Sequence, residues 1–216
     1  MSWLKKQILI IAIICVVMLA FGITLKFTHK NIENFDKYEV LLMDEDKLSR
    51  ELVLFNNTLD DSKIIIVATC ESGLKADYKC AYQNMKVDRV IKGDKLSEGD
   101  KINVLKISNI SDTDQRLWLD QGFVCEFKEG KSYLLFLDKK LITYDNSLYT
   151  PSKDYFMFPY FPIGDVSEEV NAPAFSNRNT VFYGDTKDQD VLLSGNSSME
   201  KYLKFREELF NKYNII

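Results

Sequence analysis

Two runs decide the fold: Ile64-Ile65-Ile66-Val67-Ala68-Thr69, and Cys80 to Ile91, which reads CAYQNMKVDRVI. The first is unbroken, short and β-branched, the texture of a strand buried on both faces. In the second, Ala81, Met85, Val87 and Ile91 share one parity, so one side of a long strand points inward. Glu71-Ser72-Gly73 supplies a turn between them, and Lys92-Gly93-Asp94 closes the second run. Working outward, Gly99-Asp100 is another turn, and Lys101 to Ile107 (KINVLKI) is a third strand. Ser108 to Asp114 reads as a polar loop. Gly122 to Phe127 and Lys131 to Leu137 form a hairpin pattern around Lys128-Glu129-Gly130. Weaker strand signals lie at Tyr38–Met43, from Leu141 to Tyr149, and at Val181–Tyr183.

Helices flank this β-rich stretch. Asp44 is placed to cap a helix reaching about Asn57, with Leu48, Leu52 and Phe55 at i, i+4 and i+7. Ser197 and Glu200 make a capping-box pattern that opens a last helix to about Tyr213. No Pro/Gly/Ser-rich linker divides residues 38–216. They are expected to form one mainly-β (α+β) domain with helices near both ends.

Upstream, Ile8 to Leu25 reads ILIIAIICVVMLAFGITL, without a charge. A spanning helix needs roughly 20 apolar residues. Trp3 and Phe27 bracket the run where interfacial aromatics sit, and Lys5 and Lys6 precede it. The expected layout is a cytoplasmic head at 1–7, a single-pass transmembrane signal anchor at 8–27, a juxtamembrane stalk at 28–37, and the domain outside the cell membrane. The alternative is a signal peptide cleaved after Ala20-Phe21-Gly22, which would release the domain. Cys15 follows Ile14 rather than a small residue, so a lipoprotein is disfavoured. Under the anchor reading the lipid bilayer is a partner of the first helix.

The 216 residues carry 46% hydrophobic and 28% charged side chains, a globular composition. The net charge of −4 becomes −8 once residues 1–30, with four lysines and no acid, are set aside. So acidic a domain is not a general nucleic-acid binder.

The stretch from Ile64 to Leu137 has a recognisable arrangement: IIIVAT, then YQNMKVDRVIKGD (Tyr82 to Asp94), GDKINVLKI (Gly99 to Ile107) and FKEGKSYLLFL (Phe127 to Leu137). It resembles the netrin-like domain of tissue inhibitors of metalloproteinases, and short bacterial cell-surface proteins of the same pattern. The resemblance implies an OB-like Greek-key β-barrel with flanking helices. The family's inhibitory activity depends on a cysteine at the mature amino terminus, which nothing here matches, so no residue role is carried over.

Catalytic signatures are sparse. The single histidine, His29, falls at the membrane edge, and a Cys or Ser nucleophile usually needs a base beside it. No P-loop, dinucleotide or G-x-S-x-G motif occurs, and no Cys/His spacing suits a metal. No cofactor or metal is expected. Asp112, Asp114, Asp185, Asp188 and Asp190 read as solvated turn residues. Of Cys70, Cys80 and Cys125, the pair Cys70–Cys80 is the preferred disulfide, because a hairpin would bring the two together; pairings through Cys125 and three free thiols stay open. The binding candidates are Tyr155, Phe156, Phe158, Tyr160 and Phe161, an aromatic cluster beside Pro159 and Pro162. Such clusters serve as contact surfaces or fold back into a core. The functional expectation is a membrane-anchored, non-enzymatic binding module. A carboxylate-dependent envelope hydrolase is the alternative, and a protease-inhibitor-like module, by fold analogy only, the third.

Overall fold

A computed structural model of the chain describes residues 3–28, 34–77, 79–113, 116–120, 122–142, 147–151, 158–167 and 179–215. The chain divides into two compact units, Met1–Glu33 and Asn34–Ile216.

The first unit is helix α1, Trp3–Thr28. Its stretch Lys6–Thr24, 19 residues, is long and apolar enough to cross a membrane. Ile10, Ile13, Val17, Leu19 and Phe21 are all exposed, so the apolar surface runs round the helix rather than along one stripe.

The described residues of the second unit form two sheets and two α-helices. Strands β1 (Glu39–Leu41), β2 (Ile64–Cys70), β3 (Lys75–Asp77), β4 (Cys80–Lys92), β5 (Lys101–Ile107), β6 (Asn109–Thr113), β7 (Arg116–Asp120), β8 (Ser132–Leu137), β9 (Lys139–Ile142), β10 (Ser147–Thr150), β11 (Tyr160–Pro162) and β12 (Thr180–Phe182) are joined by helices α2 (Glu45–Thr58) and α3 (Asn196–Tyr213). The larger sheet runs β11-β8-β2-β4-β5-β10-β9, with β3 also on β4; the smaller runs β12-β1-β7-β6. Strands β2 and β4 pair antiparallel, Ala68 facing Val87 and Cys70 facing Met85.

The barrel expected from the netrin-like resemblance is not closed. Among the described residues the ladder ends at β11 and β9. The sheet nevertheless curls. Tyr160 on β11 donates its hydroxyl to the Leu105 carbonyl of β5 at 2.9 Å. Four strand spacings in a flat sheet would separate them by about 19 Å. The concave side holds Ile66, Ala68, Met85, Val87, Val104 and Leu135, all fully buried.

The opposite face packs on the helices. Phe161 meets Phe55 of α2 and Phe205 of α3 at ring separations of 6.0 and 6.1 Å, and Phe136 meets Tyr213 at 5.4 Å. Arg89 on β4 fixes the end of α3 by donating to the carbonyls of Tyr213 (2.7 Å) and Asn214 (2.9 Å), where a helix favours a cation. Asp44 caps α2 by accepting from the Lys47 amide at 2.9 Å, as expected. The capping box does not form: Gly195 is the N-cap of α3 and no side chain caps it.

Two local expectations change. Residues 109–113 form a strand, hairpinned to β7, rather than a polar loop. Gly122 to Phe127 is not a strand paired with Lys131 to Leu137. β8 is taken on both sides, by β2 and β11, which leaves 122–127 to cross the concave mouth, bridged among the described residues at Val124–Val191.

Candidate functional site: a charged cleft at the end of the sheet

The aromatic segment is interior where it is described. Phe158 is 8% exposed, and Tyr160 and Phe161 are fully buried. Pairing of β11 with β8 sets Tyr160 opposite Leu135 and Phe161 opposite Leu134. Adjacent strand residues face opposite ways, so Tyr160 enters the concave interior against Phe127 (5.3 Å) while Phe161 enters the helix layer. The recognition-surface expectation is therefore corrected for Phe158, Tyr160 and Phe161. Tyr155 and Phe156 lie outside the described residues.

The Cys70–Cys80 disulfide is also corrected: Cys70, Cys80 and Cys125 are free thiols. Cys70 stands opposite Met85, five residues along β4 from Cys80, roughly 16 Å at strand rise and beyond a cystine's Cα reach of about 4.4–6.8 Å. The hairpin turn lies instead at Asp77–Cys80, which are partners across β3 and β4. Burial pushes the Cys70 thiol up to about 11 and Cys125 up to about 12, away from nucleophilic use. Asp190, expected to be solvated, is 4% exposed and pairs with Lys131 at 2.9 Å. Burial pushes its carboxyl up, but hydrogen bonds from Lys131 and the Ser167 amide, with the charges of Lys131 and Lys128, outweigh that and hold it below the usual range.

The concave interior contains a polar layer that the alternation pattern marks as inward but not as polar. Gln83 takes the Phe127 amide on its carbonyl (2.8 Å) and donates to the Phe127 carbonyl (2.8 Å), standing in for a strand partner. Lys106 is fully buried and donates to the Val124 carbonyl at 2.6 Å, with its ammonium 5.8 Å from the Phe127 ring centre. Burial draws Lys106 down to about 8. These residues satisfy the backbone of the crossing segment 122–127, which needs partners inside a core. Both side chains are sealed from solvent.

The open candidate is elsewhere. A cleft of about 390 Å³ lies where the ends of β2, β4 and β8 meet β9 and β10. Its charged lining is Lys63, Lys92, Lys95 and Lys140 with Asp61, Asp94 and Asp138, over Ile64 and Tyr149. Gly93, at φ +112°, makes the turn that brings Asp94 and Lys95 there; a Cβ on it would meet the Lys63 carbonyl at 3.2 Å and Ile64 at 3.3 Å. Lys63 pairs with Asp138 at 3.2 Å. Lys92 donates to the Asp60 carbonyl at 2.7 Å. Lys140 lies 5.7 Å from the centre of the Tyr149 ring. Lys95, Asp61 and Asp94 have no ion-pair or hydrogen-bond partner among the described residues.

Four ammoniums against three carboxylates make the cleft net positive within an acidic domain, an arrangement that concentrates anions. The sequence did not reveal it. Its lysines are scattered over residues 63–140, each at a strand end where a solubilising charge is ordinary. Among the described residues no group of three or more His, Cys, Asp or Glu could hold a metal ion. No family model and no curated protein matches the chain.

Proposed function

We propose that the chain is a membrane-anchored binding module: α1 tethers it to the bilayer, and the domain from Asn34 onward is displayed outside and recognises a ligand in the charged cleft. The observation that carries the reading is the helix segment Lys6–Thr24, long and apolar enough to cross a membrane, followed by a separate unit with its own core. The cleft replaces the aromatic cluster as the recognition surface, because Phe158, Tyr160 and Phe161 are buried. The netrin-like resemblance enters only as a fold reading, supported by the curled antiparallel arrangement of β2, β4, β5 and β8; the inhibitory activity of that family is not part of the proposal. A hydrolase would need one carboxyl held in apolar surroundings, whereas the cleft carboxylates stand among lysines.

The test is fractionation of cells expressing the full chain with a carboxyl-terminal tag. The chain should sediment with membranes, resist extraction by alkaline carbonate, and lose the tag to protease added to intact cells. Recovery as a soluble protein shortened near residue 22 would replace the anchor with a cleaved signal. A tag protected in intact cells would place the domain on the wrong side.

A further inference from the structure

We infer that the cleft binds a phosphorylated polyol, with the phosphate held by Lys95 and Lys140 and the hydroxyls by Asp61 and Asp94; this deepens the binding reading above and rests on it. Two lining lysines are committed, Lys63 to Asp138 and Lys92 to the Asp60 carbonyl. The other two are not: Lys95 has no partner among the described residues, and Lys140 has only the Tyr149 ring. A phosphomonoester carries about two negative charges at neutral pH, which matches two available ammoniums, and lysine serves phosphate as a point charge. Asp61 and Asp94, also without partners among the described residues, can only accept hydrogen bonds when ionised. A purely anionic ligand would leave them unmet or repelled, whereas hydroxyl donors beside the phosphate would satisfy them. The volume of about 390 Å³ suits a single sugar-sized unit.

Lys140 lies on β9, at the edge of the larger sheet. Edge lysines commonly do no more than block sheet-to-sheet pairing. Lys139 shares that edge and is exposed but does not line the cleft, so it separates the two roles.

The experiment is calorimetric titration of the detergent-solubilised full chain with glucose 6-phosphate, glucose, glucuronate and inorganic phosphate. It is repeated for Lys95→Ala/Lys140→Ala, for Asp61→Asn/Asp94→Asn and for Lys139→Ala. Glucose 6-phosphate should bind most tightly. The paired lysine change should weaken it at least tenfold, the paired aspartate change should remove its advantage over inorganic phosphate, and Lys139→Ala should leave it unchanged. Phosphatidylglycerol mixed into the micelle tells the sources apart: competition with glucose 6-phosphate assigns the phosphate to a lipid headgroup, and lack of competition assigns it to a soluble or polymer-borne ligand. No detectable heat, equal binding of glucuronate or of inorganic phosphate, or equal weakening by Lys139→Ala would overturn the inference. Membrane sedimentation of the unsubstituted chain separates the two failures. A parent chain that sediments normally but does not bind glucose 6-phosphate refutes the ligand and leaves the anchor standing.

Discussion

Replacing Lys106 with Met should change how stability depends on pH. In the native state the ammonium is fully buried, and its pKa falls from 10.5 to about 8. At 1.36 kcal/mol per unit that is ~3 kcal/mol carried against the charged form. The group is depressed, so the unfolded chain holds the extra proton between about 8 and 10.5, and stability rises with pH across that window. Below about pH 8 the whole penalty is present in the parent. Removing the amine relieves it but leaves the Val124 carbonyl without the 2.6 Å bond, at a cost of ~1–3 kcal/mol for that carbonyl. At pH 7 the two effects oppose each other. Moving from about pH 7 to about pH 9.5, the parent should gain ~2 kcal/mol relative to the variant. The thiols act in the other direction: Cys70 and Cys125 are raised, so their contribution is lost as pH rises above their ordinary value of 9.0. Lys106 lowers the Cys125 pKa, so its removal raises that thiol further; up to about pH 9.5 both thiols stay protonated in the folded state of either protein, and the loss drops out of the difference over this range. Urea unfolding of residues 34–216, followed by the fluorescence of Trp118, reads it directly. A parent–variant difference that stays constant over this range would refute the buried, depressed ammonium.

Three further outcomes are expected. Tyr202 is fully buried and its hydroxyl has no hydrogen-bond partner among the described residues, so Tyr202→Phe should be neutral or stabilise by up to ~2 kcal/mol; a loss above about 1 kcal/mol would reveal a partner for the hydroxyl. Phe161→Ser should cost at least the ~3–5 kcal/mol of an aromatic truncation, read as an early thermal melt, whereas an unchanged melt would return this residue to the surface. In residues 34–216, unfolding without reductant should release three reactive thiols, Cys80 alkylating first in the native state because Cys70 and Cys125 are buried; a count of one would restore a disulfide.

The sequence was most informative where one residue type implied one environment. The run at Ile64–Ile66 could only be buried, and the parity of Ala81, Met85 and Val87 marked the concave side of β4, where all three are fully buried. The spacing of Leu48 and Phe55 gave the inward face of α2 in the same way. It was least informative where partners are distant along the chain. Gly122–Phe127 has strand composition, but β2 and β11 already occupy both edges of β8. Competition for an edge leaves no trace in local pattern, and the same holds for the Cys70–Cys80 distance, set by where β3 turns onto β4.

Lys106 shows why the candidate site was harder to read than the core. In KINVLKI it sits at the alternation position of Ile102 and Val104, so parity places it inside, while its charge argues for solvent. Parity prevails because segment 122–127 needs a donor for the Val124 carbonyl, and a lysine stem can cross an apolar interior to supply it. The cleft lysines pose the opposite problem. Lys63, Lys92, Lys95 and Lys140 look alike in sequence, yet two are bound to Asp138 and the Asp60 carbonyl while Lys95 and Lys140 line the cleft without a carboxylate partner among the described residues. For Lys95 the difference lies in the turn at Gly93, at φ +112°, where a Cβ would crowd Lys63 and Ile64. Gly93 thus places Lys95 and Asp94 at the cleft, which the lysines, read singly, do not show.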